Sequence, residues 1–110
     1  MDDELYYDAI DLLERLIATP RTSRNEDAAA TIVADFMSSA GLSPRRHHNN
    51  VWVTDPCHDP SRPTVLLNSH IDTVKPVDGW TRDPFAPITD PETGRLYGLG
   101  SNDAGASLVS

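Results

Sequence analysis

The sequence has little sulfur, a deficit of basic charge and no long apolar run. Cys57 is the only cysteine among the 110 residues, which excludes an internal disulfide bond. The formal net charge of −8 repels nucleic acid and anionic membranes, so we expect neither as a partner. No apolar run approaches the ~20 residues that cross a bilayer. The acidic start at residues 1–4 also differs from the basic start of a secretory signal. These absences predict a cytoplasmic location.

Two amphipathic helices are predicted in the first 40 residues. Apolar residues recur three to four positions apart over 5–18, and a second stripe of this kind runs over 23–40. Pro20 ends the first helix, because the residue before a proline is disfavoured in helical geometry. Ser23 and Glu26 have the spacing of a capping box, which predicts that the second helix begins there.

The remainder of the chain is predicted to form strands and loops, which makes one small α/β domain. Residues 64–69 are apolar on both faces in their middle, as expected of a strand in a mostly parallel sheet. A short strand is predicted at 51–53, and a hairpin is predicted between 88–89 and 95–97. Residues 104–110 resemble the first turns of another helix. Their apolar face has nothing after it, so we expect the chain to be truncated within a domain.

The first group of chemically informative residues follows the predicted buried strand. His70 and Asp72 lie where open α/β sheets bind ligands, and residues two apart in extended backbone point to the same side. A neutral imidazole binds zinc well, and a nearby carboxylate fixes its tautomer. Alternatively, His70 is a hydrogen-bonded core residue and Asp72 starts a turn. Taken alone, the His-x-Asp pattern leaves both interpretations open.

The second group is a glycine-rich turn over 98–105 that contains Asp103. A carboxylate at the start of a helix is favoured by the helix dipole and can also bind a metal. The alternative is a simple N-cap aspartate, which is a common arrangement. A dinucleotide-binding turn is disfavoured, because Asp103 stands where the third glycine of that motif would be and would repel a phosphate.

Taken together, four blocks resemble the front of the M20 metallopeptidase and deacylase family, and within it the acetylornithine deacetylase-like branch. The blocks are residues 66–74, 79–80, 83–85 and 96–105, in the family's order. The resemblance covers essentially the whole chain. It implies that residues 1–110 are the N-terminal part of a zinc-peptidase-like catalytic domain, with two N-terminal helices, a mostly parallel sheet and a hairpin.

The resemblance also implies roles for three side chains. His70 matches a histidine that binds one metal ion, and Asp103 matches the carboxylate that bridges two ions. Asp72 matches an aspartate that orients the histidine and counts as a catalytic residue. The implied cofactors are two divalent metal ions, zinc with cobalt as the alternative. The implied reaction is hydrolysis of the amide bond of a small N-acyl amino acid, such as N-acetylornithine in arginine biosynthesis, by a homodimeric enzyme.

One departure from the family pattern leaves the acyl group open. Many members have Met-Lys-Gly-Gly after the bridging aspartate, whereas this chain has Ala104-Gly105-Ala106-Ser107. The family's general-base glutamate and remaining ligands would lie beyond Ser110, so we expect residues 1–110 alone to be inactive. The alternatives are a non-catalytic truncated product and a small binding module that retains the fold core.

Overall fold

A computed structural model describes residues 3–110, in which two helices precede two small sheets and a final helical segment. The helices are α1 (Asp3–Ile17), α2 (Asp27–Ser39) and α3 (Ser107–Val109), and the strands are β1 (Arg45–His47), β2 (Asn50–Trp52), β3 (Ile88–Thr89) and β4 (Leu96–Tyr97). A wide π-helical turn, Ser101–Ala106, leads directly into α3. No helix of the described part is long and apolar enough to cross a membrane.

The core lies between α1 and α2, whose predicted apolar stripes pack against each other. Leu12 and Leu16 of α1 contact Ala29 and Val33 of α2, and all four side chains are buried. The small side chain of Ala29 lets the two helices approach closely. Apolar residues from later in the chain, Ile71 and Leu108 among them, pack against this cluster. The helix pair therefore supports the two segments that carry the candidate site residues.

The predicted capping box at the start of α2 is wrong. The helix begins at Asp27, and the preceding Glu26 makes no side-chain hydrogen bond to the free backbone donors of the first turn. Both members of the predicted pair have tertiary partners instead. The Ser23 hydroxyl donates to Asp72, and the Glu26 carboxylate accepts from the backbone N–H of Arg24 and from the side chain of Asn49.

Both sheets are antiparallel hairpins. In the second, Ile88 pairs with Tyr97 and Thr89 with Leu96, which confirms the predicted hairpin. The first hairpin joins β1 to β2, and β2 corresponds to the strand predicted at 51–53. The sequence pattern does not predict β1, because the residues of that strand are polar and do not alternate with apolar ones.

The prediction of a mostly parallel sheet is wrong for the described residues. Among residues 3–110, parallel pairing is confined to a single bridge between Thr22 and Thr73. Residues 64–69 form no strand, and Val65, Leu66 and Leu67 are 82–90% exposed. An internal parallel strand needs partners on both edges and helices on both faces. No strand of the described chain pairs with this segment, so its apolar sequence does not become a buried strand.

Candidate metal centre

The backbone around His70 is held against the connection between α1 and α2. The N–H of Thr73 donates to the carbonyl of Arg21 at 2.9 Å, and the N–H of Ser23 donates to the carbonyl of Thr73 at 3.3 Å. Ile71 packs against the helix core. Two backbone hydrogen bonds and one apolar contact thus fix residues 70–73 against the body of the protein.

Asp103 is brought to the same place by a turn that only glycine fits. Gly100 has a φ of +77°, and a Cβ at this position would lie 2.5 Å from both Arg21 Nη2 and Thr73 Cγ2. Glycine tolerates this left-handed conformation and leaves room for the close approach. The turn continues into the π-helical segment, where the peptide bond between Asp103 and Ala104 is cis. This turn places Asp103 beside His70.

The two predicted metal ligands lie side by side. His70 Nε2 is 3.0 Å from Asp103 Oδ1. The other ring nitrogen, Nδ1, is 3.0 Å from the backbone carbonyl of Asp72 and 3.3 Å from its Oδ1. These side chains line an open cleft of about 330 Å³, together with Ser23 and the glycine turn at 98–102. The structure thus brings His70, Asp72 and Asp103 into one cleft.

Ser23 is a member of this cluster that the sequence analysis assigned to another role. Its hydroxyl donates a short hydrogen bond to Asp72 Oδ2, while Asp72 Oδ1 faces the His70 ring. The two residues are 49 positions apart, so no local sequence pattern could have indicated the contact. Asp72 therefore meets His70 mainly through its backbone carbonyl, and its carboxylate is oriented by Ser23.

Hydrogen bonds within the cluster shift the pKa values of His70 and Asp72. The Asp72 carbonyl, followed by the Asp103 carboxylate, accepts hydrogen bonds from the ring and raises the pKa of His70 above its usual value. The Ser23 hydroxyl lowers the pKa of Asp72 below that of an ordinary aspartate. Acceptors at both ring nitrogens favour the imidazolium form when no metal is bound. Binding of a metal ion at Nε2 would therefore require loss of the proton that this nitrogen otherwise shares with Asp103.

The geometry of the pair fits a shared metal ion. Two ligands of one tetrahedral zinc ion, bound at ~2.0–2.2 Å, lie ~3.3 Å apart. The 3.0 Å between His70 Nε2 and Asp103 Oδ1 is close to this separation, so a small outward movement would admit an ion. Within residues 3–110, no group of three or more His, Cys, Asp or Glu side chains is arranged to hold a metal. The described residues therefore bring together only the pair of candidate ligands, His70 and Asp103.

Comparison with known proteins identifies the family. Residues 66–110, which include both site segments, match the model of Peptidase family M20/M25/M40. This match, together with the relatives described below, confirms the resemblance to the M20 family predicted from the sequence blocks.

Individual relatives align along nearly the whole chain. This chain is 31% identical to a succinyl-diaminopimelate desuccinylase of Xylella fastidiosa over 94% of the chain's length. It is 29% identical to an enzyme of the same name from Rhizorhabdus wittichii, also over 94% of the chain's length. It is 32% identical over 86% to a probable carboxypeptidase of Aspergillus clavatus. The chain spans 28%, 28% and 22% of these relatives. The acetylornithine deacetylase-like branch stays a prediction, since these relatives carry other names.

Proposed function

We propose that this chain contributes to a metal-dependent site that hydrolyses the amide bond of a small N-acyl amino acid. In this proposal His70 and Asp103 are metal ligands and Asp72 orients His70. The observation that carries the proposal is the 3.0 Å approach of His70 Nε2 to Asp103 Oδ1 in an open cleft. The match of residues 66–110 to the M20/M25/M40 peptidase family supports it.

The bound group would be two divalent ions, zinc with cobalt as the alternative. When bound, such ions polarise a carbonyl and lower the pKa of water towards ~7, which supplies a nucleophile near neutral pH. The Asp72 carbonyl keeps a proton on His70 Nδ1, so the lone pair of Nε2 is free for an ion on the side of Asp103. Asp103 would help to hold the ions through its carboxylate.

Two acyl classes remain candidates for the substrate. The names of the bacterial relatives favour an N-succinyl amino acid such as N-succinyl-diaminopimelate. The sequence blocks favour N-acetylornithine or a related N-acyl amino acid. In either case water cleaves the amide, the acyl group leaves as a carboxylate, and the amino acid leaves with a free amine. We give the succinyl class priority, because named relatives align with nearly the whole chain.

The net charge of the chain indicates which kind of partner the proposed reaction would use. A net charge of −8 is unsuited to nucleic acid or anionic membranes, which favours a small molecule as the partner. We further propose a homodimeric enzyme in the cytoplasm. The oligomeric state is checked by light scattering and the location by cell fractionation.

The proposal is tested by hydrolysis assays on the protein at its full natural length. N-succinyl-diaminopimelate and N-acetylornithine are supplied separately with Zn²⁺ or Co²⁺, and release of the free amine is measured. We expect the His70→Ala and Asp103→Ala variants to lose at least ~100-fold in rate, since each removes a metal ligand. His58→Ala, which alters an exposed histidine outside the cleft, is the matched control and should retain the wild-type rate.

Residues 1–110 alone provide the second arm of the experiment. We expect no hydrolysis above the His70→Ala background, because the described residues offer two candidate ligands, whereas a catalytic zinc ion uses about three protein ligands and a water. Zinc binding at His70 without hydrolysis of any N-acyl amino acid by the full-length protein would instead identify a binding module. Equal rates for wild type and His70→Ala would refute the proposed site.

A further inference from the structure

Arg21 is the most deeply buried charged residue of the described chain. It lies in the connection between α1 and α2 and is 2% exposed, yet no carboxylate forms an ion pair with it among the described residues. Burying a guanidinium is costly unless its donors are satisfied. Two of its nitrogens are satisfied by backbone carbonyls, and Nε has no partner. Because burial of this guanidinium is costly, its hydrogen-bond partners indicate its role.

The two carbonyls belong to the two halves of the candidate site. Arg21 Nη1 donates to the carbonyl of Ile71 at 3.1 Å, and Nη2 donates to the carbonyl of Gly100 at 3.1 Å. Ile71 is the neighbour of His70, and Gly100 begins the turn that presents Asp103. These partners lie 50 and 79 residues from Arg21 along the chain. One side chain thus joins two segments that are distant in sequence.

The shape of the guanidinium makes this contact a clamp. Its donors form a rigid planar fork, so the positions of the two carbonyls are fixed relative to each other. The backbone carbonyl of Arg21 also accepts from Thr73 N–H, which secures the His70 segment a second time. On the opposite side, the bare Cα of Gly100 allows the fork to approach, since a Cβ there would collide with Nη2. Arg21 is therefore a direct link between the two segments.

We propose that Arg21 is a positioning residue that sets the distance between His70 and Asp103 by clamping the backbone of both segments. The inference rests on the proposed function, because it assigns Arg21 to the same metal site. Arg21 itself touches neither metal nor substrate. Its role is to hold the two ligands at a separation that one ion spans.

The test compares zinc affinity with thermal stability in full-length variants. Arg21→Lys keeps the charge but replaces the fork by a single ammonium, and Arg21→Gln removes the charge. Arg46→Lys is the matched control, because Arg46 also makes several hydrogen bonds, to Asp27, Thr31 and Asn49, but lies outside the cleft. We expect both Arg21 variants to bind Zn²⁺ ~10–100-fold more weakly by calorimetry. Arg46→Lys should lose thermal stability only.

A metal-free measurement separates this inference from the proposed function. In crystals of the metal-free Arg21 variants, we expect the distance from His70 Nε2 to Asp103 to increase, whereas the contact from His70 Nδ1 to the Asp72 carbonyl, made within one segment, should persist. If Arg21→Lys does not fold, Arg21→Gln decides, because it leaves no buried charge. Wild-type zinc affinity together with an unchanged His70–Asp103 distance would overturn the inference. If the wild-type protein binds no zinc, the proposed function fails. The distance from His70 Nε2 to Asp103 in the metal-free crystals then decides the role of Arg21.

Discussion

Ser23 and Asp72 are joined by a short hydrogen bond in which the hydroxyl donates to Oδ2 of the carboxylate. The other oxygen of Asp72, Oδ1, lies 3.3 Å from Nδ1 of His70. A hydroxyl in the connection between α1 and α2 therefore orients the carboxylate that faces the candidate ligand. This contact makes the ionisation of Asp72 a reporter of the arrangement of the site.

Replacement of Ser23 by alanine is expected to raise the pKa of Asp72. The Ser23 hydroxyl is the main cause of the lowered pKa, so its removal moves the value towards that of an ordinary aspartate, ~3.9. Because the folded-state pKa is lowered, the contribution of Asp72 to stability is present above ~3.9 and is lost as the pH falls through the folded-state value. Wild type and Ser23→Ala should therefore differ most in stability near neutral pH and converge in acid. Carbon-detected NMR titration of the carboxyl group measures the shift.

The matched control for this titration is Ser61→Ala. Ser61 lowers the pKa of Asp59 in the same way, in an exposed loop away from the cleft. This variant should raise the pKa of Asp59 and leave that of Asp72 unchanged. A Ser23→Ala protein in which Asp72 titrates as in wild type would show that the hydrogen bond does not form in solution.

Gly100→Ala is expected to cost more stability than the same change at Gly41. Both glycines have left-handed φ, +77° and +81°, so each substitution carries ~1–2 kcal/mol of backbone cost. A Cβ at Gly41 meets no atom within 4 Å, whereas one at Gly100 would overlap Arg21 and Thr73. Overpacking should add ~1–3 kcal/mol at Gly100 only. Urea unfolding of both variants measures the difference, and equal losses would contradict the close contact at Gly100.

Leu16→Ala is expected to destabilise the protein by ~2–5 kcal/mol, because Leu16 is fully buried between α1 and α2. The matched control is Leu5→Ala on the same helix, where the side chain is 65% exposed and the change should stay within ~0.5 kcal/mol. Chemical denaturation followed by circular dichroism measures both. Similar losses at the two positions would show that α1 is not packed on α2 through this face.

The features predicted correctly from the sequence are those specified by nearby residues. The helical stripes that include Leu16 and Val33 depend on spacing within a few turns, and the hairpin from Ile88 to Tyr97 depends on one turn. The meeting of His70 and Asp103 was inferred from the order of whole sequence blocks, because neither motif specifies it alone.

The features that were missed depend on partners far along the chain. The apolar segment at 64–69 predicts a buried parallel strand, but an apolar run does not reveal whether a neighbouring strand is present to pair with it. Ser23 fits a capping box locally, and only the fold brings it to Asp72. The contacts of Arg21 with Ile71 and Gly100 likewise arise from tertiary structure.

The most direct test of the central claim is the zinc-edge X-ray absorption spectrum of the full-length, zinc-loaded protein, compared with those of the His70→Ala and His58→Ala variants. We predict that the multiple-scattering signal of imidazole decreases in His70→Ala and is unchanged in His58→Ala, since the ion lies between His70 and Asp103. An imidazole signal of wild-type strength in His70→Ala would place the metal elsewhere and contradict the account.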